Sequence, residues 1–163
     1  MSNYDPRDLA NLVLQVAAEV GATTSNLAMN KIVYFVHGSY LARFGEPLVD
    51  ATIEAWQFGP VFRELYHSFK QFGDGPIRQM AARIDPTDGR KKAFVAELPN
   101  DRQQVVEQLI KNYLSIKPAM LVNMSHVEDG PWYDAWNYQG TVNPGMSISN
   151  EAIQQYFASQ KRH

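Results

Sequence analysis

The segment from Ser25 to Phe44 constrains the fold most. Leu27, Met29, Ile32, Val33, Tyr34, Phe35, Val36, Tyr40, Leu41 and Phe44 leave it few polar positions. Its length argues against a strand, and Gly45 with Pro47 marks its end. A helix apolar on most of its sides has to be central, with other elements packed around it. Those elements must come from the same chain of 163 residues. That length fits one domain, 1–163, able to bury about 68–70% of its extended-chain surface.

The flanking segments read as further helices. Asp5 caps the first and Pro6 occupies its opening turn, where a missing N–H is harmless. Leu9, Leu12, Val13, Val16 and Val20 follow at helical spacing, and Gly21 stops the run. Ile53, Ala55 and Gln57 alternate with Glu54 and Trp56, which predicts a short strand or extended crossing. Gly59-Pro60 reads as a loop entering a helix striped by Val61, Phe62, Leu65, Tyr66, Phe69 and Phe72. Between residues 77 and 98, Asp85-Pro86-Thr87-Asp88-Gly89 predicts the turn of a small antiparallel ribbon. Helices follow from about Asp101 and from Pro118, then a short one from Trp132 to Tyr138. Gly140 to Gly145 reads as a loop. Ser149 caps the last helix, with Ile148 and Ile153 at staple spacing, and the tail from Gln160 to His163 reads as frayed. The expectation is a mainly α fold, α+β at most: a compact bundle of about six helices with a small β-hairpin or ribbon.

Composition removes several functions. Lys and Arg number 15 against 17 Asp and Glu, so no basic excess is available to grip a phosphate backbone, and nucleic acid is not the expected partner. The absence of cysteine excludes disulfides, thiol nucleophiles and cysteine-based zinc sites. No apolar run reaches the roughly 18 residues of a membrane span, and the polar start from Met1 to Arg7 lacks a signal-peptide core. A cytoplasmic protein is expected.

Known catalytic patterns do not emerge. His37, His67, His126 and His163 form no close two-ligand spacing, and His126 with Glu128 and Asp129 would need a distant third ligand, so neither metal nor cofactor is expected. Ser125 and His126 are adjacent, so on a helix they point about 100° apart. Phosphate-cradling glycine loops and a Gly-x-Ser-x-Gly elbow are missing. No residue is assigned as catalytic. Lys31 interrupts the apolar helix and Glu54 the strand-like segment. The ordinary reading of Lys31 is a snorkelling lysine; the alternative is an acidic partner. Lys31, Glu54 and His126 could form one polar cluster that fixes the helices in register. A small enzyme with a pocket around these three is the competing function. Trp56, Phe58, Trp132, Tyr133 and Trp136 are candidates for a recognition surface, although core packing is the commoner fate of such residues. Trp132 and Trp136, four apart, share a helix face.

Three blocks in order resemble a known family. They are Met29-Asn30-Lys31-Ile32-Val33-Tyr34-Phe35; Ile53-Glu54-Ala55-Trp56-Gln57-Phe58-Gly59-Pro60-Val61 with Leu65-Tyr66 after it; and Ser125-His126 followed by Gly130-Pro131-Trp132 and Ala135. They are similar to the Panacea domain of SocA-like antitoxins and phage-associated GepA-like proteins, from about residue 25 to residue 157. Asn30 stands where glutamine is commoner. The resemblance implies an antitoxin that neutralises a protein toxin, encoded by an adjacent gene, either by sequestering it or by delivering it in the SocA manner to the ClpXP protease. It makes Lys31, Tyr34, Glu54, Trp56, Phe58, Gly59, Pro60, Tyr66, His126, Gly130, Pro131 and Trp132 the candidate partner-binding or motif residues. A homodimer stays open.

Overall fold

The computed structural model describes residues 3–137 and 146–160. The expected loop at Gly140–Gly145 and the tail beyond Gln160 lie outside the described residues. The order along the chain is α1 (Pro6–Val20), α2 (Asn26–Phe44), β1 (Ile53–Trp56), β2 (Gly59–Phe62), α3 (Arg63–Phe69), β3 (Arg83–Ile84), β4 (Lys91–Lys92), α4 (Asn100–Leu114), α5 (Pro118–Ser125), α6 (Pro131–Trp136), β5 (Ser147–Ile148) and α7 (Asn150–Gln160). The fold is mainly α with small antiparallel sheets, as the patterning predicts. The described residues hold seven helices, one more than the expected six.

Helix α2 is the axis. It packs against α1, α3, α4, α5, α7 and β2, and 14 of its 19 residues are buried. Ser25 caps it by accepting the Ala28 N–H, and Gly45 closes it in the left-handed conformation. The helix α7 lies close against it because residue 38 is glycine. A Cβ at Gly38 would stand 2.5 Å from the Phe157 ring. Phe157 in turn meets Tyr34 and Phe35 edge to face, at 5.7 and 5.9 Å between centroids. Ser149 caps α7 by accepting the Ala152 N–H at 3.1 Å, and the Ile148–Ile153 staple is buried. Asp5 caps α1 through the Arg7 N–H.

The residues around Gly59-Pro60 correct the sequence reading. They form strand β2, not a loop, and Val61 and Phe62 belong to it; the helix starts only at Arg63. β1 and β2 make a hairpin in which Trp56 faces Gly59 and Ala55 faces Pro60, with Gln57 and Phe58 at the tip. Proline suits β2 because this strand is an edge of a sheet ordered β2-β1-β5, where a missing N–H breaks no ladder. The third strand, β5, pairs Ile148 with Ile53 and Ser147 with Glu54. The ribbon expected in residues 77–98 exists as β3 and β4, two residues each. Arg83 ties it to α1 through a two-pronged pair with Asp8, both contacts 2.8 Å.

His37 sits fully buried on α2. Its Nδ1 accepts the Val49 N–H at 3.3 Å, so its Nε2–H donates to Asn150 Oδ1 at 2.9 Å. Both contacts suit the neutral ring. Burial lowers its pKa from the ordinary 6.5, although the Asn150 bond opposes this. Below about pH 6.5 the unfolded chain therefore binds a proton that the folded chain refuses, and stability falls with pH. We expect the melting temperature to drop between pH 7 and pH 5, with the His37 ring titrating below its ordinary value. An NMR titration of the ring at the ordinary value would contradict this.

Among the described residues, no helix is long and apolar enough to cross a membrane.

Candidate functional site

The three sequence blocks meet around the β1–β2 hairpin. Lys31, from α2, is wholly buried and does not snorkel. Its Nζ donates to the Pro60 carbonyl at 3.1 Å. Asn30 beside it is also buried. Its Oδ1 accepts the Phe62 N–H at 2.8 Å, and its amide donates back to Asn26. Two successive polar residues of α2 thus grip the two ends of β2. Gly59 takes φ 118°, and a Cβ there would lie 2.5 Å from Lys31 Cε and 2.8 Å from Ser125 Oγ. The glycine is required by both its backbone angle and the side chains against it.

The third block supports the hairpin from the other side. Trp132 is buried and its Nε1–H donates to the Trp56 carbonyl at 2.7 Å. His126 stacks on Trp132 with centroids 3.9 Å apart and planes 17° apart. Trp136 stacks with Trp132, 5.7 Å between centroids, as the four-residue spacing predicts. Gly130 and Pro131 are buried, and Pro131 opens α6. Ser125 Oγ donates to the Val122 carbonyl at 2.8 Å, so its hydroxyl is spent within its own helix.

Glu54 does not join Lys31 and His126. Its Oε1 accepts the Trp56 Nε1–H at 2.8 Å, and its carboxylate pairs with Arg63 at 3.0 Å. The expected cluster of Lys31, Glu54 and His126 is therefore corrected: Glu54 orients Trp56 on the strand's outer side. Glu54 alternates with the buried Ile53 and Ala55, so the pleat aims it away from the core. The pocket that an enzyme of these three residues requires is not assembled.

Burial without an ionic partner pulls the Lys31 amine down from 10.5 to about 7. His126 is lowered too, first by burial and then by the Lys31 charge, while the Phe58 backbone opposes the shift. Its Nε2 is buried and makes no hydrogen bond of good geometry. For Lys31 the shift corresponds to roughly 5 kcal/mol at about 1.4 kcal/mol per unit. Each buried Ile, Leu or Phe of α2 stabilises by about 1.5–3 kcal/mol, so its apolar neighbours outweigh that cost. Between pH 7 and 10.5 the unfolded chain holds a proton that folded Lys31 has lost, so stability rises with pH. We expect a higher melting temperature at pH 9 than at pH 7.5 in the wild type and a flatter profile in Lys31→Met. Equal slopes in the two would contradict the buried neutral amine.

Outside this supported hairpin the aromatic side chains divide. Phe58, at the tip, is 57% exposed, Tyr66 38% and Leu27 40%. Trp56 is half-buried and tilts against Tyr66, 5.0 Å between centroids. With Asn30 and Lys70 they line a groove of about 500 Å³. Tyr34 belongs to the core instead, 1% exposed, its hydroxyl pushed above the usual range by burial. The sequence reading gave no separate role to Asn30, or to Ser125 beyond the Ser-His pair. Asn30 carried a usable signal, since it interrupts the same apolar helix as Lys31.

The arrangement is a hairpin tied by side chains from α2 and α6 that presents partly exposed aromatic side chains. The family model for the SocA-like antitoxin Panacea domain matches residues 29–133, which contain both the Lys31 and Trp132 supports. Over 160 residues, 98% of this chain and 85% of the other, the chain is 34% identical to antitoxin SocA of Caulobacter vibrioides (strain NA1000 / CB15N). No solved structure matches it. The chain belongs to the SocA-like Panacea family.

Proposed function

We propose that this chain is the antitoxin of a toxin–antitoxin pair, a cytoplasmic protein that binds and neutralises a protein toxin encoded by the adjacent gene. It acts by holding the toxin and catalyses no reaction. The relative named antitoxin SocA supports the role, and the exposed Phe58, standing on a hairpin fixed from two sides, carries the choice of surface. Large exposed aromatics beside a concave apolar groove are the usual anchors of a protein interface. A second groove of about 410 Å³, lined by Phe35, Tyr113, Tyr156 and Phe157, contains none of the hairpin residues and is the less favoured face. Handing the toxin to ClpXP extends the same reading, since an adaptor must also grip its cargo.

Co-expression with the neighbouring gene product tests the role. Growth rescue and co-purification are expected. Rescue that persists in cells lacking ClpXP identifies sequestration, and rescue lost there identifies the adaptor route. Absence of both rescue and co-purification with the neighbouring product would contradict the cognate pairing.

A further inference from the structure

We infer that Lys31 is a positioning residue for partner recognition: it holds the Trp56–Pro60 hairpin in the conformation that presents Phe58, and does not touch the partner itself. The inference rests on the antitoxin reading and extends it to a residue hidden from the surface.

Lys31 is 0% exposed, so it cannot contact a partner in this conformation. What it does contact is the far side of the recognition hairpin. Its amine end donates to the Pro60 carbonyl at 3.1 Å, and its Cε lies where a side chain on Gly59 would have to go. Phe58 is the next residue back along the chain. The other leg of the hairpin is tied by Trp132 to the Trp56 carbonyl. Both ties are directional hydrogen bonds from side chains to backbone carbonyls flanking the tip. At the tip the His126 side chain also meets the Phe58 backbone, so Lys31 and Trp132 on the flanking carbonyls, with His126 between them, set where Phe58 stands. An apolar side chain of similar length would fill the same space with less desolvation and would stabilise the core better than an amine. A buried donor that serves only packing is thus the poorer solution, whereas one aimed at Pro60 gives the hairpin a defined seat. An ordered loop also binds with less ordering cost than a mobile one.

The test is Lys31→Met, which keeps the volume and removes the donor. Three quantities are read: melting temperature, amide hydrogen exchange across residues 56–61, and affinity for the purified neighbouring toxin. The expectation is a melting temperature at or above wild type. Exchange at the hairpin should rise roughly tenfold with other elements unchanged, and affinity should fall roughly tenfold, the scale of one buried hydrogen bond. A purely structural lysine would alter melting and exchange throughout the fold together. Wild-type exchange at the hairpin, or wild-type affinity, in a folded Lys31→Met would overturn the inference. Should Lys31→Met fail to fold, loss of the other tie in Trp132→Phe, which removes the N–H donor and part of the ring, is read beside Lys31→Gln, which keeps a donor. Global loss of protection in Lys31→Gln also overturns it. Absence of toxin binding by the wild type would remove the antitoxin reading itself, a result distinct from a Lys31 variant that binds as well as a binding wild type.

Discussion

Gly59→Ala is expected to lose about 4 kcal/mol of folding stability. The added Cβ meets Lys31 Cε at 2.5 Å and Ser125 Oγ at 2.8 Å, both well inside contact distance. Lys31 is flexible in principle, yet it is enclosed on all sides, and Ser125 is 3% exposed. Overpacking of this kind costs about 1–3 kcal/mol. The backbone adds its own penalty, because φ 118° is rarely open to alanine, and such strain costs about 1–3 kcal/mol. Against a typical total stability of about 5–15 kcal/mol the sum is large. Urea unfolding of Gly59→Ala measures it directly. A double variant with Lys31→Ala removes the atom in the way, so it should be less unstable than the two single losses added together. Strict additivity, or a loss below about 1 kcal/mol, would show that Lys31 does not press on Gly59.

Phe58→Asp is expected to abolish toxin neutralisation while leaving the fold intact. The ring is more than half exposed, so its removal opens no cavity, and surface changes of this type stay within about 0.5 kcal/mol of wild-type stability. Binding is different. Truncating an anchor residue at an interface costs about 2 kcal/mol or more, and a carboxylate facing an apolar partner adds a desolvation penalty. A loss of about a hundredfold in affinity follows from the sum. Growth assays with the toxin, read beside the melting temperature, separate the two effects. Full rescue by a folded Phe58→Asp would move the binding face elsewhere, and the groove beside Phe35 and Tyr156 would take its place.

What the sequence announces about this fold is what local chemistry determines. The apolar run from Leu27 to Phe44 specifies a buried axis because no surface helix could carry it. Asp5, Ser25 and Ser149 mark helix starts because a cap needs only neighbours in sequence. The hairpin is harder to read. Its tip lacks an Asn-Gly or Asp-Gly step, and the positive backbone angle falls on Gly59, after the two tip residues. Pro60 also argues against a strand until one knows that β2 is an edge. Strand β5 is illegible locally, since its partner Ile53 lies 95 residues earlier in the chain.

The site shows the same division. Trp132 and Trp136 stack as their spacing requires. Lys31 and Glu54 stand out correctly as polar residues in apolar runs, but composition cannot say that they face opposite ways. Period-two alternation along β1 could have shown it: with Ile53 and Ala55 inward, Glu54 points out toward Arg63. The aromatic residues are mixed because exposure at Phe58 depends on a turn that the sequence reading places inside a loop.

Titrating the purified toxin with the purified chain, without any protease present, tests the central claim most directly. The account expects toxin activity to fall in proportion to added antitoxin, to stop changing at a fixed ratio, and to track the amount of complex isolated by size-exclusion chromatography. Loss of toxin activity at antitoxin amounts far below that of the toxin, with no complex to isolate, would mean that the chain turns its target over and does not hold it.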